Sequence, residues 1–238
     1  MLIFKHEVMS FETDMYGNLR PSQLLRYAMH ASGERLYTDN LDKAIEKSGL
    51  PTGWMLARIK NEQFAPLHAG DMLEIHCSQR AVQGASYVRQ VHILRDGETV
   101  SDCLMMWMLI DMDKRRIMRV SELEKFEELL PPTVELPEVK RLAQRKDMPE
   151  IAQFTVPRSL CDMNGHFSSA NYLDLICDAF GFWEDGAKLM RSVQIDFHSE
   201  FLPGESVCLS GLTENGETQV RGAHVSGASG FTACVVME

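Results

Sequence analysis

The chain has 238 residues, 45% of them hydrophobic and 24% charged, which suits one large domain or two small ones with a proper core and excludes disordered and fibrous classes. The formal net charge of -10 argues against nonspecific nucleic-acid binding. The start, MLIFKHEVMSFETD, is too short in apolar residues for a signal peptide, and no run nears the roughly 18 apolar residues of a membrane span, so a soluble cytoplasmic protein without membrane association is expected.

In chain order, Asp14-Met15-Tyr16-Gly17-Asn18 precedes a helix-like stretch, PSQLLRYAMHASGERLY. The insert LDKAIEKSGLPTG follows, then IKNEQFAPLHAGDMLEIHC, with a strand signal in Met72–Cys77. Gly84 to Ile110 reads as two strands joined at Arg95-Asp96-Gly97-Glu98. Within it, Met105-Met106-Trp107-Met108-Leu109 is a core strand whose flexible side chains would also suit an acyl tail. Ser121 to Glu150 holds a short charged helix candidate and Pro131, Pro132, Pro137 and Pro149, the composition of a linker lying across the surface.

The second half repeats the first. Asp162-Met163-Asn164-Gly165-His166 stands 148 residues after the Asp14 run and precedes SSANYLDLICDAFGFW. There Tyr172, Ile176, Ala179, Phe180 and Trp183 fall at helical spacing, with Asp174, Asp178 and Asp185 on other faces and Ser168 or Ser169 placed to cap the first turn. VQIDFHSEFLPGESVCLSG matches the earlier block at an offset of 134, with Gly204-Glu205 facing Gly70-Asp71. Gly216 to Met237 reads as a last strand pair turning near Gly227–Gly230. Each half is thus a turn, one long helix and several antiparallel strands. A helix wrapped by an antiparallel sheet is the hotdog unit, so the predicted fold class is α+β, a double hotdog. Its parts are residues 1–120, a linker over 121–150, and residues 151–238.

Asp162-x-Asn164-x-His166 lies in the turn just before the second helix, and on its own such a run reads either as capping and solvation or as chemistry. Read as a short extended segment, it aims the three side chains the same way. Histidine moves protons near neutral pH, asparagine donates and accepts, and aspartate orients a histidine or activates water. A helix N-terminus alongside offers N–H groups to an oxyanion. The six cysteines, at 77, 103, 161, 177, 208 and 234, form no CxxC pair and read as structural thiols. Asp196, His198 and Glu200 share one parity, which on its own describes the solvent face of an edge strand.

The stretch Asp162 to Tyr172, DMNGHFSSANY, is similar to the D-x-N-x-H-V-N-N-x-x-Y signature of acyl-ACP thioesterases. In that family a catalytic glutamate follows in a strand of the second hotdog. Ile195-Asp196-Phe197-His198-Ser199-Glu200-Phe201 resembles that strand, with Glu200 standing 34 residues after His166. The resemblance covers nearly the whole chain and implies Asp162, Asn164, His166 and Glu200 as catalytic positions. Two departures stand out. Ser168-Ser169 replace paired asparagines, and Phe201 occupies a position where members often carry cysteine, which leaves a water-based mechanism. Cys161, beside Asp162, has no counterpart in that resemblance.

The first half has Asn18 where the second has His166, and Pro66 where it has Glu200; only the aspartate is shared. One site per chain follows, with the first hotdog shaping the acyl pocket. The implied reaction is hydrolysis of a fatty acyl-ACP thioester to free acid and thiol, water being activated by Glu200 or Asp162. No metal or organic cofactor is implied. The implied partner is acyl carrier protein, with basic residues at Lys114, Arg115, Arg116 and Arg119 and at Lys140, Arg141, Arg145 and Lys146 available to dock it. An acyl-CoA thioesterase, a hotdog hydratase or dehydratase, and a noncatalytic acyl-binding sensor are the alternatives, and a homodimer is compatible with the fold.

Overall fold

A computed structural model of the chain describes residues 2–38, 43, 45–46, 49–83, 85–118, 139–184 and 189–238. Most of the predicted linker, its helix candidate, Arg119, Asp185 and parts of the insert after the first helix lie outside the described residues.

Strands β1 (Leu2–Glu7), β2 (Thr52–Gln63), β3 (Met72–Gln83), β4 (Ser86–Arg95), β5 (Glu98–Asp111) and the short β6 (Arg116–Ile117) belong to the first half. Strands β7 (Glu150–Thr155), β8 (Met190–Phe197), β9 (Ser206–Glu214), β10 (Glu217–His224) and β11 (Ser229–Met237) belong to the second. They form one antiparallel sheet in the order β1-β3-β4-β5-β2-β8-β11-β10-β9-β7, with β6 beside β5. The order reads alike from either end, each half contributing the same five-strand path. The halves meet where β2 pairs with β8. The central pair, Lys60–Gln194, joins residues that are themselves 134 apart, so a local two-fold axis passes between them.

Turn chemistry sets the strand pairs. Asp96-Gly97 between β4 and β5 and Asn215-Gly216 between β9 and β10 all take positive φ (54°, 83°, 52° and 81°). That geometry matches the right-handed twist of the flanking strands, and Asn/Asp-Gly adopts it at least cost. Helix α1 (Pro21–Thr38) starts on proline, whose missing N–H is unneeded in a first turn. Helix α2 (Asn171–Phe180) stops at Gly181 in the left-handed conformation, so Trp183 stands beyond the helix rather than on it. Its N-cap is Ala170; neither Ser168 nor Ser169 caps through its hydroxyl, and the Ser168 carbonyl instead accepts the Asn171 N–H at 2.9 Å.

Both helices bury their apolar faces on the sheet: Leu24, Leu25, Ala28 and Ala31 of α1, and Leu173, Ile176 and Cys177 of α2, meet Ile59, Val91, Met105, Val193 and Ile195. Burial of this apolar surface is the main stabilising contribution. The helices are bridged where the Arg26 guanidinium donates to Asn171 Oδ1. This is the double hotdog anticipated above.

Strand β8 departs from the sequence reading. It lies at the centre of the sheet and ends at Phe197, and Asp196 is 1% exposed rather than solvent-facing. Arg58 Nε donates to Asp196 Oδ1 at 2.6 Å and Nη2 to Oδ2 at 3.2 Å. Leu142 N–H adds a bond to Oδ2 at 2.9 Å, and Arg58 Nη1 reaches the Val139 carbonyl at 2.7 Å. A buried carboxylate demands such partners, and here they pin the chain from Val139 to Leu142 over the seam between the halves. No helix among the described residues is long and apolar enough to cross a membrane.

Candidate active site

The Asp162 run is a closed turn, not an extended segment. Cys161 pairs with Phe167, Asp162 N–H donates to the His166 carbonyl at 2.8 Å, and Gly165 N–H to the Asp162 carbonyl at 3.0 Å. Gly165 takes φ +78°, which a side chain resists. The Asp162 carboxylate closes the turn from inside: Oδ1 accepts the N–H of Asn164 at 2.9 Å and of His166 at 3.3 Å. An aspartate that folds back on its own backbone two residues on is a local turn builder.

The first half builds the same turn without the histidine. Asp14 Oδ1 accepts the N–H of Tyr16 and of Asn18, each at 2.9 Å, and Asp14 N–H donates to the Asn18 carbonyl at 2.8 Å. Each turn is then tied to the loop after its half's central strand. Leu19 N–H donates to the Leu67 carbonyl at 2.7 Å, and Phe167 N–H to the Phe201 carbonyl at 2.8 Å. Gly70 N–H meets the Val8 carbonyl as Gly204 N–H meets that of Val156, both at 2.8 Å. These backbone bonds repeat in the two halves, while the crevices differ in side chains.

In the second crevice His166 Nε2 lies 3.8 Å from Glu200 Oε1, both side chains partly exposed at 35% and 53%. Glu200 sits in the loop beyond β8, not within a strand. Asn164 is exposed in the turn that carries His166. Asp162, Asn164 and His166 therefore share one turn, and the tie from Phe167 to Phe201 brings Glu200 against the histidine. The oxyanion reading of the helix start is narrowed, because the N–H groups of Asn171 and Leu173 already donate to the carbonyls of Ser168 and Ala170. Cys161 donates its thiol to the Pro157 carbonyl at 3.6 Å.

Beneath the turn, Tyr172 is buried in an aromatic cluster with ring centroids 4.7 Å from Phe167, 5.3 Å from Phe197 and 4.9 Å from Phe231. Burial first, and then the nearby charges of Asp162 and Glu200, drive its hydroxyl far above the ordinary tyrosine range. It therefore stays a neutral phenol under both carboxylates. His198, two residues before Glu200, is held below the ordinary histidine range by burial and by Arg141 beside it, so it is neutral at physiological pH.

A clamp on the Glu200 loop escaped sequence reasoning. Ser199 Oγ lies 2.8 Å from His224 Nε2, His224 Nδ1 lies 3.7 Å from Glu205 Oε2, and the His224 ring stacks on Phe201 at 4.2 Å. His224 faces Val207 in the β9–β10 register, where Arg95 faces Leu73 in β3–β4. Arg95 holds the equivalent loop, donating to the Pro66 carbonyl at 3.0 Å and to Asp71 at 2.8 Å. Among the described residues no group of three or more His, Cys, Asp or Glu side chains is placed to hold a metal ion.

Solved structures share the whole architecture. An acyl-ACP thioesterase from Bacteroides thetaiotaomicron superposes with a TM-score of 0.86 at 16% identity, covering 99% of this chain and 97% of that one. A 12:0-ACP thioesterase from Umbellularia californica superposes at 0.87 with 13% identity, covering 100% and 96%. At such identities the likeness establishes the fold. No curated protein matches the sequence. The family description for the acyl-ACP thioesterase N-terminal domain matches residues 3–126, more than half of the chain. With that match added to the duplicated fold and its one-sided histidine–glutamate crevice, the chain belongs to the acyl-ACP thioesterase family and is a thioester hydrolase.

Proposed function

We propose that fatty acyl-ACP hydrolysis, the family's reaction, takes place at the turn and loop carrying Asp162, Asn164, His166 and Glu200, with water as nucleophile and cytoplasmic acyl-ACP as substrate. The observation that carries this reading is the approach of His166 to Glu200 at 3.8 Å in one of two crevices whose turns make the same aspartate and loop backbone bonds. Glu200 is the base. Asp162 makes the same backbone bonds as Asp14, which serves a crevice without chemistry, so its carboxylate builds the turn.

Glu200 takes a proton from water as its oxygen adds to the thioester carbonyl carbon. The tetrahedral intermediate then collapses, the C–S bond breaks, and the proton taken up by Glu200 passes through His166 to the leaving sulfur, which releases a neutral thiol and returns both side chains to their starting states. In this reading Asn164, exposed in the same turn, donates to the carbonyl oxygen. Carrier docking falls to the segment after Val139, where Arg141 reaches His198 at 3.4 Å, close to the Glu200 loop. Arg145 contributes less, being engaged by Asp147 and Glu214.

Thiol release from matched acyl-ACP and acyl-CoA panels tests the reading. Faster turnover of acyl-ACP, with Glu200→Gln and His166→Ala folded but nearly inactive, supports it. Full activity in either variant would overturn the assignment.

A further inference from the structure

The segment ahead of β7, residues 139–149, is fastened along the sheet face turned away from the helices. The Val139 carbonyl accepts from Arg58 Nη1 at 2.7 Å, the Lys140 carbonyl from the Gln194 amide at 2.7 Å, and the Pro149 carbonyl from the Gly211 N–H at 3.0 Å. With the Leu142 N–H on Asp196 and Met148 buried, this strap is a fixed ledge beside β8. Two of its side chains reach the start of the Glu200 loop. Arg141 Nη2 lies 3.4 Å from His198 Nδ1, and the Gln144 amide lies 3.3 Å from His198 Nε2.

An arginine can only donate, so His198 Nδ1 is an acceptor and the ring hydrogen sits on Nε2, 3.1 Å from the Thr232 hydroxyl. This arrangement needs an uncharged ring. Burial supplies it first and Arg141 second, against the opposing charge of Asp196. The residue 134 positions earlier is Phe64. The two backbones are tied alike: the His198 N–H donates to the Gly230 carbonyl and the Phe64 N–H to the Val100 carbonyl, both at 2.8 Å. The Phe64 ring, however, is 42% exposed, with the Arg191 guanidinium 5.5 Å from its centre. The imidazole thus belongs to the half with Glu200, and a phenyl ring takes its place in the half with Pro66.

We infer that His198 is a positioning residue for Glu200: its imidazole fastens the loop that carries the base to the strap, and so fixes where the carboxylate meets His166. The inference rests on Glu200 as the base. The Glu200 side chain is 53% exposed, too open for packing to set its place, and the anchor two residues before it does so instead. Such an anchor matters because a misplacement of about 1 Å at a reacting group can cost about a hundredfold in rate.

The test is thiol release from acyl-ACP and from the same acyl group on pantetheine, which lacks the carrier. His198→Phe, the exchange that copies the first half, should lower kcat at least about tenfold with both substrates and leave KM within about twofold. His198→Asn, whose amide oxygen replaces Nδ1 as acceptor, should recover kcat to at least about a third of the native value. Thr232→Val, which removes the partner of the Nε2 hydrogen, gives a second reading should His198→Phe fail to fold; kcat should fall about threefold with KM kept. Unchanged kcat in the folded variants overturns the inference. A loss confined to acyl-ACP or carried by KM overturns it too, by making His198 a carrier contact, and a loss that His198→Asn does not recover reduces the ring to packing. Failure of the base reading is distinct from all of these and would show as an active Glu200→Gln.

Discussion

The assignment of Glu200 rather than Asp162 as base is best tested by substituting asparagine at both turn aspartates. Asparagine keeps the shape and one acceptor oxygen but removes the charge. Each aspartate accepts two backbone N–H bonds through Oδ1, at 2.9 and 3.3 Å for Asp162 and at 2.9 Å twice for Asp14. Charge-assisted bonds are roughly twice as strong as neutral ones. With net values of about 1.5–3 kcal/mol for bonds to charged groups, discounted because the turn is open to solvent, either substitution costs about 1 kcal/mol. For a chain of this length that is a fall in Tm of about 2–4 °C, the same for Asp14→Asn as for Asp162→Asn. Turnover separates the roles. Asp162→Asn should retain activity within about tenfold, whereas Glu200→Gln should lose the about 10²–10⁴-fold that a positioned base contributes. The assay is thiol release from acyl-ACP alongside thermal denaturation. If Asp162→Asn is as inactive as Glu200→Gln while its Tm matches that of Asp14→Asn, the carboxylate of Asp162 acts in the chemistry and the turn-builder argument fails.

Other outcomes follow from the same geometry. Asp196→Ala leaves Arg58 charged and nearly buried at the seam, a loss of about 3–5 kcal/mol by chemical denaturation; a loss under 1 kcal/mol would refute the buried pair. Gly230→Ala drives a Cβ to 2.2 Å from the Phe201 ring beneath the Glu200 loop, so stability should fall by about 1–3 kcal/mol and kcat with it. His224→Ala should lower kcat by loosening that loop, whereas Arg95→Ala should lower stability and spare kcat; equal kcat losses would contradict the clamp. Burial pushes the Asp71 carboxyl up, but the His68 N–H and Arg95 outweigh it and hold it below the ordinary value. Because the folded state binds that proton less readily, the stabilisation is present above pH about 4 and drains as pH falls through and below it. Denaturation curves between pH 6 and 3 should show this slope, flattened in Asp71→Asn.

Much of this molecule was legible in its sequence because the duplication repeats local signals. The D-G and N-G turns, the proline-started helix and the matched loops each depend on a few adjacent residues. The nearness of His166 to Glu200 came from resemblance rather than from spacing alone. Asp196 was misread because parity tells which residues share a face, not whether the strand is central. The pairing of β8 with β2 and β11, together with the chain from Val139 to Leu142 laid over them, buries it. The extended reading of Asp162–His166 gave too little weight to Gly165, whose positive φ marks a turn. His224 stands 24 residues from Glu200 in no motif, and cross-strand register alone brings it to Ser199.

The seam between β2 and β8 also bears on how the protein is made. Ile59 waits for Ile195, so during synthesis the first half emerges with β2 paired to β5 on one edge and open on the other until β8 is out. An open strand edge is a template for any complementary strand, and the β8 of a neighbouring nascent chain is identical to its own. Folding is therefore a contest between closure within one chain and exchange between two, and it grows less favourable to the monomer as expression rises. Slower translation after the first half lengthens that exposure, while a holding chaperone that covers β2 shortens it.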